Sequence, residues 1–222
     1  MGRTYRARSP LGGDAMVAST ASARPTVLGA TDALLLVDVQ RDFVTGSLAV
    51  PGAPAIIPVL NAYVREFAQR HLPIVATRDW HPAGHCSFRD QGGPWPPHCI
   101  AGTPGAGFAE GLALGPEALV ISKATTPERD AYSGFGGTQL DLRLRALRAH
   151  RLFVGGLATD YCVLETVRDA RRLGYEVCLL ADAIRAVDAH PGDGEKALAE
   201  MRAGGAVEIR FADLAAHEAL HG

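Results

Sequence analysis

Cys162 stands near the start of a helical stretch in GGLATDYCVLETVRDA (residues 155–170), just past a Gly-Gly strand end. A helix N-terminus carries unpaired N–H donors and the positive end of the dipole. A thiol there is expected to ionise more easily, and an oxyanion can be held beside it. Most cysteines are small buried hydrophobes, and Cys178, inside an apolar run, is expected to be one of them. Asp38 closes the run LLLVD, where a buried carboxylate without a partner would be costly; a solvated strand-end acid is the alternative. Lys123 closes ALVISK and is one of two lysines among 22 basic residues. In an Arg-biased chain a lone lysine at a strand end suggests a need for a compact ammonium, although a surface lysine with a buried stem is the simpler reading. Taken together, Asp38, Lys123 and Cys162 provide an acid or base, a cation and a nucleophile, the components of nucleophilic catalysis.

A second set falls in TRDWHPAGHCSF (77–88) and WPPHC (95–99). Asp79 and His81 are two residues apart where the chain leaves an apolar run, so both can face one way. His98 follows two prolines that stiffen its approach. One carboxylate and two imidazoles suit zinc, manganese or iron with open positions left over. The histidines can also serve as loop caps. The pairs His85-Cys86 and His98-Cys99 allow a structural zinc site through thiolates, but their spacing fits no zinc-finger pattern.

The elements that must position these residues alternate in type. Apolar runs at 33–39, 73–79, 118–123, 152–157, 175–182 and 206–211 read as strands covered on both faces. Helical periodicity marks 53–71, with Pro58 weakening its start, and also 140–150, 160–174 with Asp160 as N-cap and Gly174 as stop, and 194–205. This alternation predicts a parallel α/β sheet, with ligands beyond the carboxyl ends of the strands. The stretch 78–117 is rich in Gly and Pro and holds three of the eight histidines; so long a loop in a compact domain is usually functional.

The 222 residues carry a net charge of −2, which gives nucleic acid or an anionic membrane no electrostatic handle. No apolar run approaches the roughly 20 residues of a membrane span. Four cysteines in a chain this long do not make a disulfide scaffold, so a cytoplasmic location is expected. Residues 1–30 are rich in Arg, Ser, Ala, Gly and Pro, lack a signal-peptide apolar core, and read as a disordered extension before a single domain at 31–222.

The segments LLLVDVQRDFVTGSLAVPGA, ATRDWHPAGHCSF, WPPHCIAGTPGAGF, SKATTPERDAYSGFGGT and GGLATDYCVLETVRDARRLGYEV together resemble the nicotinamidase/pyrazinamidase branch of the isochorismatase-like cysteine hydrolases, from about residue 32 to the end. The resemblance implies a three-layer α/β/α fold with a six-stranded, mostly parallel sheet in order 3-2-1-4-5-6. It implies hydrolysis of nicotinamide, and of pyrazinamide, to the acid and ammonia through a cysteine thioester, in NAD salvage. Asp38, Lys123 and Cys162 match the catalytic set, and the N–H groups of Ala158 and Cys162 the oxyanion hole. Asp79, His81 and His98 match the ligands of one divalent metal ion, zinc first and manganese or iron as alternatives. Some relatives place a ligand near His85, and others keep it behind the ligands. Phe43, Trp95 and Tyr132 match positions around the substrate ring, and Leu157-Ala158 matches a peptide that is usually cis. The implied partner is a small amide, and relatives often form homo-oligomers. Two other readings are a related amidohydrolase acting on maleamate, N-carbamoylsarcosine or a ureido acid, and a non-catalytic domain that binds metal or a partner.

Overall fold

The protein, described as a computed structural model over residues 26–215, is built on six parallel strands. They are β1 (Asp32–Val37), β2 (Ile74–Asp79), β3 (Leu119–Lys123), β4 (Arg151–Leu157), β5 (Glu176–Arg185) and β6 (Val207–Ile209). Their spatial order is β3-β2-β1-β4-β5-β6, as the resemblance implies, and each neighbouring pair runs parallel. β1 shows why its run is continuously apolar. Leu34 and Leu36 join the core on one face, with Leu60 and Phe67; Ala33, Leu35 and Val37 join the core on the other, with Leu144 and Val167. A central strand covered on both sides has no polar face to offer.

The first core lies under α2 (Ile57–Gln69), and the second under α3 (Leu140–Ala146), α4 (Leu164–Arg172) and α5 (Asp193–Ala203). α2 begins at Ile57 after a 3₁₀ turn over Ala53–Ile56. Pro58 falls in its first turn, where a missing N–H costs nothing, so it starts this helix instead of weakening it. The stretch expected as helix to residue 150 ends at Ala146, and Arg148 turns the chain with φ of 56°. Asp160 is not an N-cap. The chain enters α4 through a π turn, Thr159–Val163, and the Asp160 carboxylate accepts the N–H groups of Val187 (2.9 Å) and Asp188 (2.8 Å). A single turn, α1 (Arg41–Val44), was not anticipated, because four residues carry no readable period.

The long Gly/Pro-rich stretch stays irregular but is held down. His81 pairs with Ile100 and Phe88 with Trp95 in isolated bridges. At the chain's other end Thr26 donates to Asp213 and accepts from Ala215 (2.7 and 2.9 Å). Thus the last residues of the stretch read as an extension are paired, while residues 1–25 lie outside those described. Among the described residues no helix is long and apolar enough to cross a membrane.

Candidate active site

The carboxyl ends of β1, β2 and β3 bring three charged side chains together. Asp38 follows β1 in the left-handed region, with φ of 49°, a conformation Asp tolerates better than most residues. Its N–H donates to Thr77 Oγ1 (3.2 Å), and the Thr77 hydroxyl donates to Asp38 Oδ1 (2.7 Å). Lys123 closes β3 opposite Asp79, which closes β2. The Lys123 ammonium is 1% exposed and lies 2.9 Å from Asp38 Oδ2 and 2.5 Å from Asp79 Oδ1; it donates to the Ala131 carbonyl (2.9 Å) and to Cys162 Sγ (3.5 Å). One atom each of Asp38, Asp79 and Cys162 falls within a 4.8 Å cluster. The snorkelling-lysine and solvated-acid readings are both excluded by this burial.

Gly156 explains why Cys162 can approach Asp38. Its φ is 123°, and a Cβ there would stand 2.1 Å from the Val37 carbonyl oxygen. Only glycine lets β4 close on β1 at this point. The next peptide, Leu157-Ala158, is cis.

The electrostatics correct one expectation. Burial pushes the Cys162 thiol well above its ordinary pKa; Lys123 offsets part of this, and Asp38 and Asp79 add to it. Burial and the two carboxylates thus act against the ionisation that a helix end favours, and the shift favours the protonated thiol. Burial also raises Asp38 against the pull of Lys123, with Asp79 raising it further. On Lys123 burial acts downward, but the two carboxylates win and hold the ammonium charged. A carboxylate of raised basicity beside a thiol is a proton acceptor in place.

Asp79, His81 and His98 each offer a ligand atom, and these atoms lie within 4.8 Å of one another. His81 Nδ1 is 3.1 Å from the His98 carbonyl, and His98 Nδ1 is 2.8 Å from the Pro96 carbonyl. Each contact fixes Nδ1 as the donor and leaves Nε2 as a lone pair. His81 Nε2 is buried with no hydrogen-bond partner, and burial, with the neighbouring histidines and Lys123, lowers its pKa to about 4. A buried, neutral, orphaned imidazole beside a carboxylate and a second imidazole fits a divalent cation. His85 is placed differently. Its Nδ1 is 2.7 Å from Ser87 Oγ, its Nε2 is 3.1 Å from the Arg129 carbonyl, and its ring stacks on His81 at 4.2 Å. Both nitrogens are engaged within the protein. The thiolate zinc reading finds no support, since neither Cys86 nor Cys99 belongs to a ligand cluster among the described residues.

Above these groups opens a cavity, partly open to solvent, and Cys162, Ala158, Asp79, His81 and His98 all face it. Phe43, Trp95 and Tyr132 line it. Leu157 does not; its side chain is 1% exposed and lies in the core beneath α2. Tyr161, Val50 and Val187 add to the wall, and Trp95 stands edge-on to Tyr161 with ring centres 5.1 Å apart. The Trp95 indole donates to the Tyr132 hydroxyl (3.0 Å).

Sequence reasoning passed over Gln40. It is fully buried, and its amide takes the Asp79 N–H (2.7 Å) and donates to the carbonyls of Asp79 (2.8 Å) and Ala106 (2.9 Å). Its signal was its position, two residues after Asp38 in VDVQ, where the chain leaves β1. Asp42 was missed too; it accepts the Cys99 N–H (2.7 Å) and so tethers the residue after His98.

An isochorismatase domain model matches residues 32–213. A nicotinamidase of Escherichia coli is 39% identical over 203 residues, covering 82% of this chain and 95% of that protein. A pyrazinamidase of Pyrococcus horikoshii, solved in complex with zinc, is 48% identical, with a TM-score of 0.78 over 82% of this chain and 99% of its own. PnC1 of L. infantum, solved in complex with nicotinate, is 37% identical, with a TM-score of 0.78 over 87% and 99% of the two chains. With a matching domain model, a shared fold and relatives of this similarity, the chain belongs to the isochorismatase family, in its nicotinamidase/pyrazinamidase branch.

Proposed function

We propose that this protein hydrolyses nicotinamide, and pyrazinamide likewise, to the carboxylic acid and ammonia. The carrying observation is a Lys123 ammonium 2.9 Å from Asp38 and 3.5 Å from the sulfur of Cys162, which itself lines an aromatic-walled cavity. Asp38 takes the thiol proton as sulfur attacks the carboxamide carbon, so the low-nucleophilicity thiol is activated only when substrate is present. Lys123 stabilises both anions in turn. The N–H groups of Ala158 and Cys162 hold the oxyanion, each worth about 10²–10³ in turnover. The tetrahedral adduct collapses with loss of the C–N bond, and Asp38 returns its proton to the departing ammonia. Water then attacks the thioester with Asp38 again as base, releasing the acid and restoring the thiol.

A divalent cation held by Asp79, His81 and His98 would supply a Lewis-acidic anchor for the ring nitrogen and so orient the amide. Zinc is favoured by the two imidazoles and one carboxylate, and by the zinc complex of the similar Pyrococcus pyrazinamidase. Phe43 and Trp95 clasp the ring and exclude water. The reaction fits NAD salvage. The four free cysteines suit a reducing compartment such as the cytoplasm.

Ammonia release from nicotinamide, pyrazinamide and maleamate, with and without chelator, tests this reading. Turnover of the two aromatic amides, lost on chelation, is expected. Preference for maleamate would instead make the protein a related amidohydrolase.

A further inference from the structure

One charged side chain on the cavity wall has no task in this chemistry. Asp130 lies exposed on the segment between β3 and α3 and lines the cavity. Its Oδ1 accepts the Ala131 N–H (2.9 Å), and one of its oxygens is within 4.8 Å of a ring nitrogen of both His81 and His85. Arg129, its neighbour in the chain, is turned away. Arg129 lines an adjacent cavity with Gly137, where its Nη1 is 3.9 Å from the Cβ position of that glycine. Among the described residues no arginine lines the substrate cavity.

The cavity lining carries two carboxylates, Asp79 and Asp130, and the buried Asp38 carboxylate beside it is paired with the Lys123 ammonium. A divalent cation on Asp79, His81 and His98 brings their sum to zero. Without Asp130 the same site would carry one net positive charge. A neutral amide responds weakly to that difference, whereas a carboxylate entering the cavity meets the added positive charge directly.

We propose that Asp130 is a specificity-determining residue that keeps the loaded site electrically neutral, so that uncharged aromatic amides enter, amides bearing their own carboxylate are refused, and the carboxylate product is not retained. The inference rests on the reading of the site as a nicotinamide hydrolase. It concerns the exclusion of anions, not the bond-breaking step. Removing one charge at a distance of several ångströms is expected to change anion affinity about tenfold.

The experiment uses the zinc-loaded full chain with Cys162→Ala, which stops turnover, and measures nicotinate binding by calorimetry with and without Asp130→Asn or Asp130→Glu. Asparagine preserves the shape and an acceptor for the Ala131 N–H. D130N is expected to bind nicotinate about tenfold tighter, and D130E to match the parent. With Cys162 intact, the kcat/KM ratio of nicotinamide over maleamate is expected to fall about tenfold in D130N. Added salt should narrow the gap in nicotinate affinity. A nicotinate affinity within twofold of the parent, equal tightening in D130E, or an unmoved selectivity ratio overturns the proposal. The nicotinamidase reading fails separately, if the unmodified protein releases no ammonia from nicotinamide.

Discussion

Asp79 joins the two halves of the site: its carboxylate lies against the Lys123 ammonium and 3.8 Å from His81 Nε2. Its own backbone is gripped on both sides by the Gln40 amide. Gln40→Met should keep the volume but leave the Asp79 amide and two buried carbonyls without that partner. The expected result is metal affinity weaker by about 10–100-fold, with loss of activity restored in part by excess metal, measured by zinc competition. A purely structural role would lower stability without that rescue. His98→Ala should reduce bound metal well below one per chain, whereas His85→Ala should retain it, since both His85 nitrogens already have protein partners; metal analysis of the two variants reads this directly. Cys162→Ala should cut ammonia release by a factor of about 10³ or more with the fold intact by circular dichroism. The three candidate types were legible in the sequence because Asp38 and Lys123 close apolar runs and Cys162 stands near the start of a helical stretch. The thiol's raised pKa was not, because it depends on burial and on two carboxylates brought in from β1 and β2.

At the scale of elements, the site exists because β1 and β4 touch closely at their carboxyl ends. Gly156 pairs with Val37 there, and the β4–β5 register shifts between Val154 and Gly156. Gly156→Ala places a methyl against the Val37 carbonyl in a backbone conformation that L side chains rarely adopt. It is expected to destabilise the protein by several kcal/mol and to reduce activity more than the remaining folded fraction explains, because the Asp38–Cys162 approach opens. Urea unfolding together with activity per folded molecule separates the two effects. The strands and the longer helices were readable from periodicity. The π turn that carries Cys162 was not, since nothing in TDYCV distinguishes it from an ordinary first helical turn; it arises where Asp160 is drawn to the backbone of Val187 and Asp188.

For the whole molecule, buried titratable groups set the pH range of stability. His81 is held neutral with a pKa of about 4 against an ordinary 6.5. Between those values the unfolded chain binds the proton that the folded chain refuses, so metal-free stability should fall as pH drops from 6.5 toward 4. Cys178 behaves oppositely. Burial, only partly offset by Arg151, pushes it up to about 11 from 9.0, and the folded state keeps a proton that the unfolded chain releases. Stability should therefore fall as pH rises from 9 toward 11, with Cys99 and Cys162, also raised by burial, steepening the loss. Urea midpoints across both windows measure this, and Cys178→Ala should flatten the alkaline limb.

The sequence by itself determined the alternation of strands and helices and the family, and it marked the candidate residues for the chemistry, because periodicity and motif spacing are local properties of the chain. It also marked Asp79, His81 and His98 as a candidate ligand set. Tertiary structure alone decided that Asp38, Asp79 and Lys123 share one buried charge cluster beneath Cys162, that Leu157 faces the core, and that Gln40 and Asp130 belong to the site. Those outcomes depend on strands distant in sequence meeting edge to edge, where burial and neighbouring charge, which no single segment carries, set what each side chain can do.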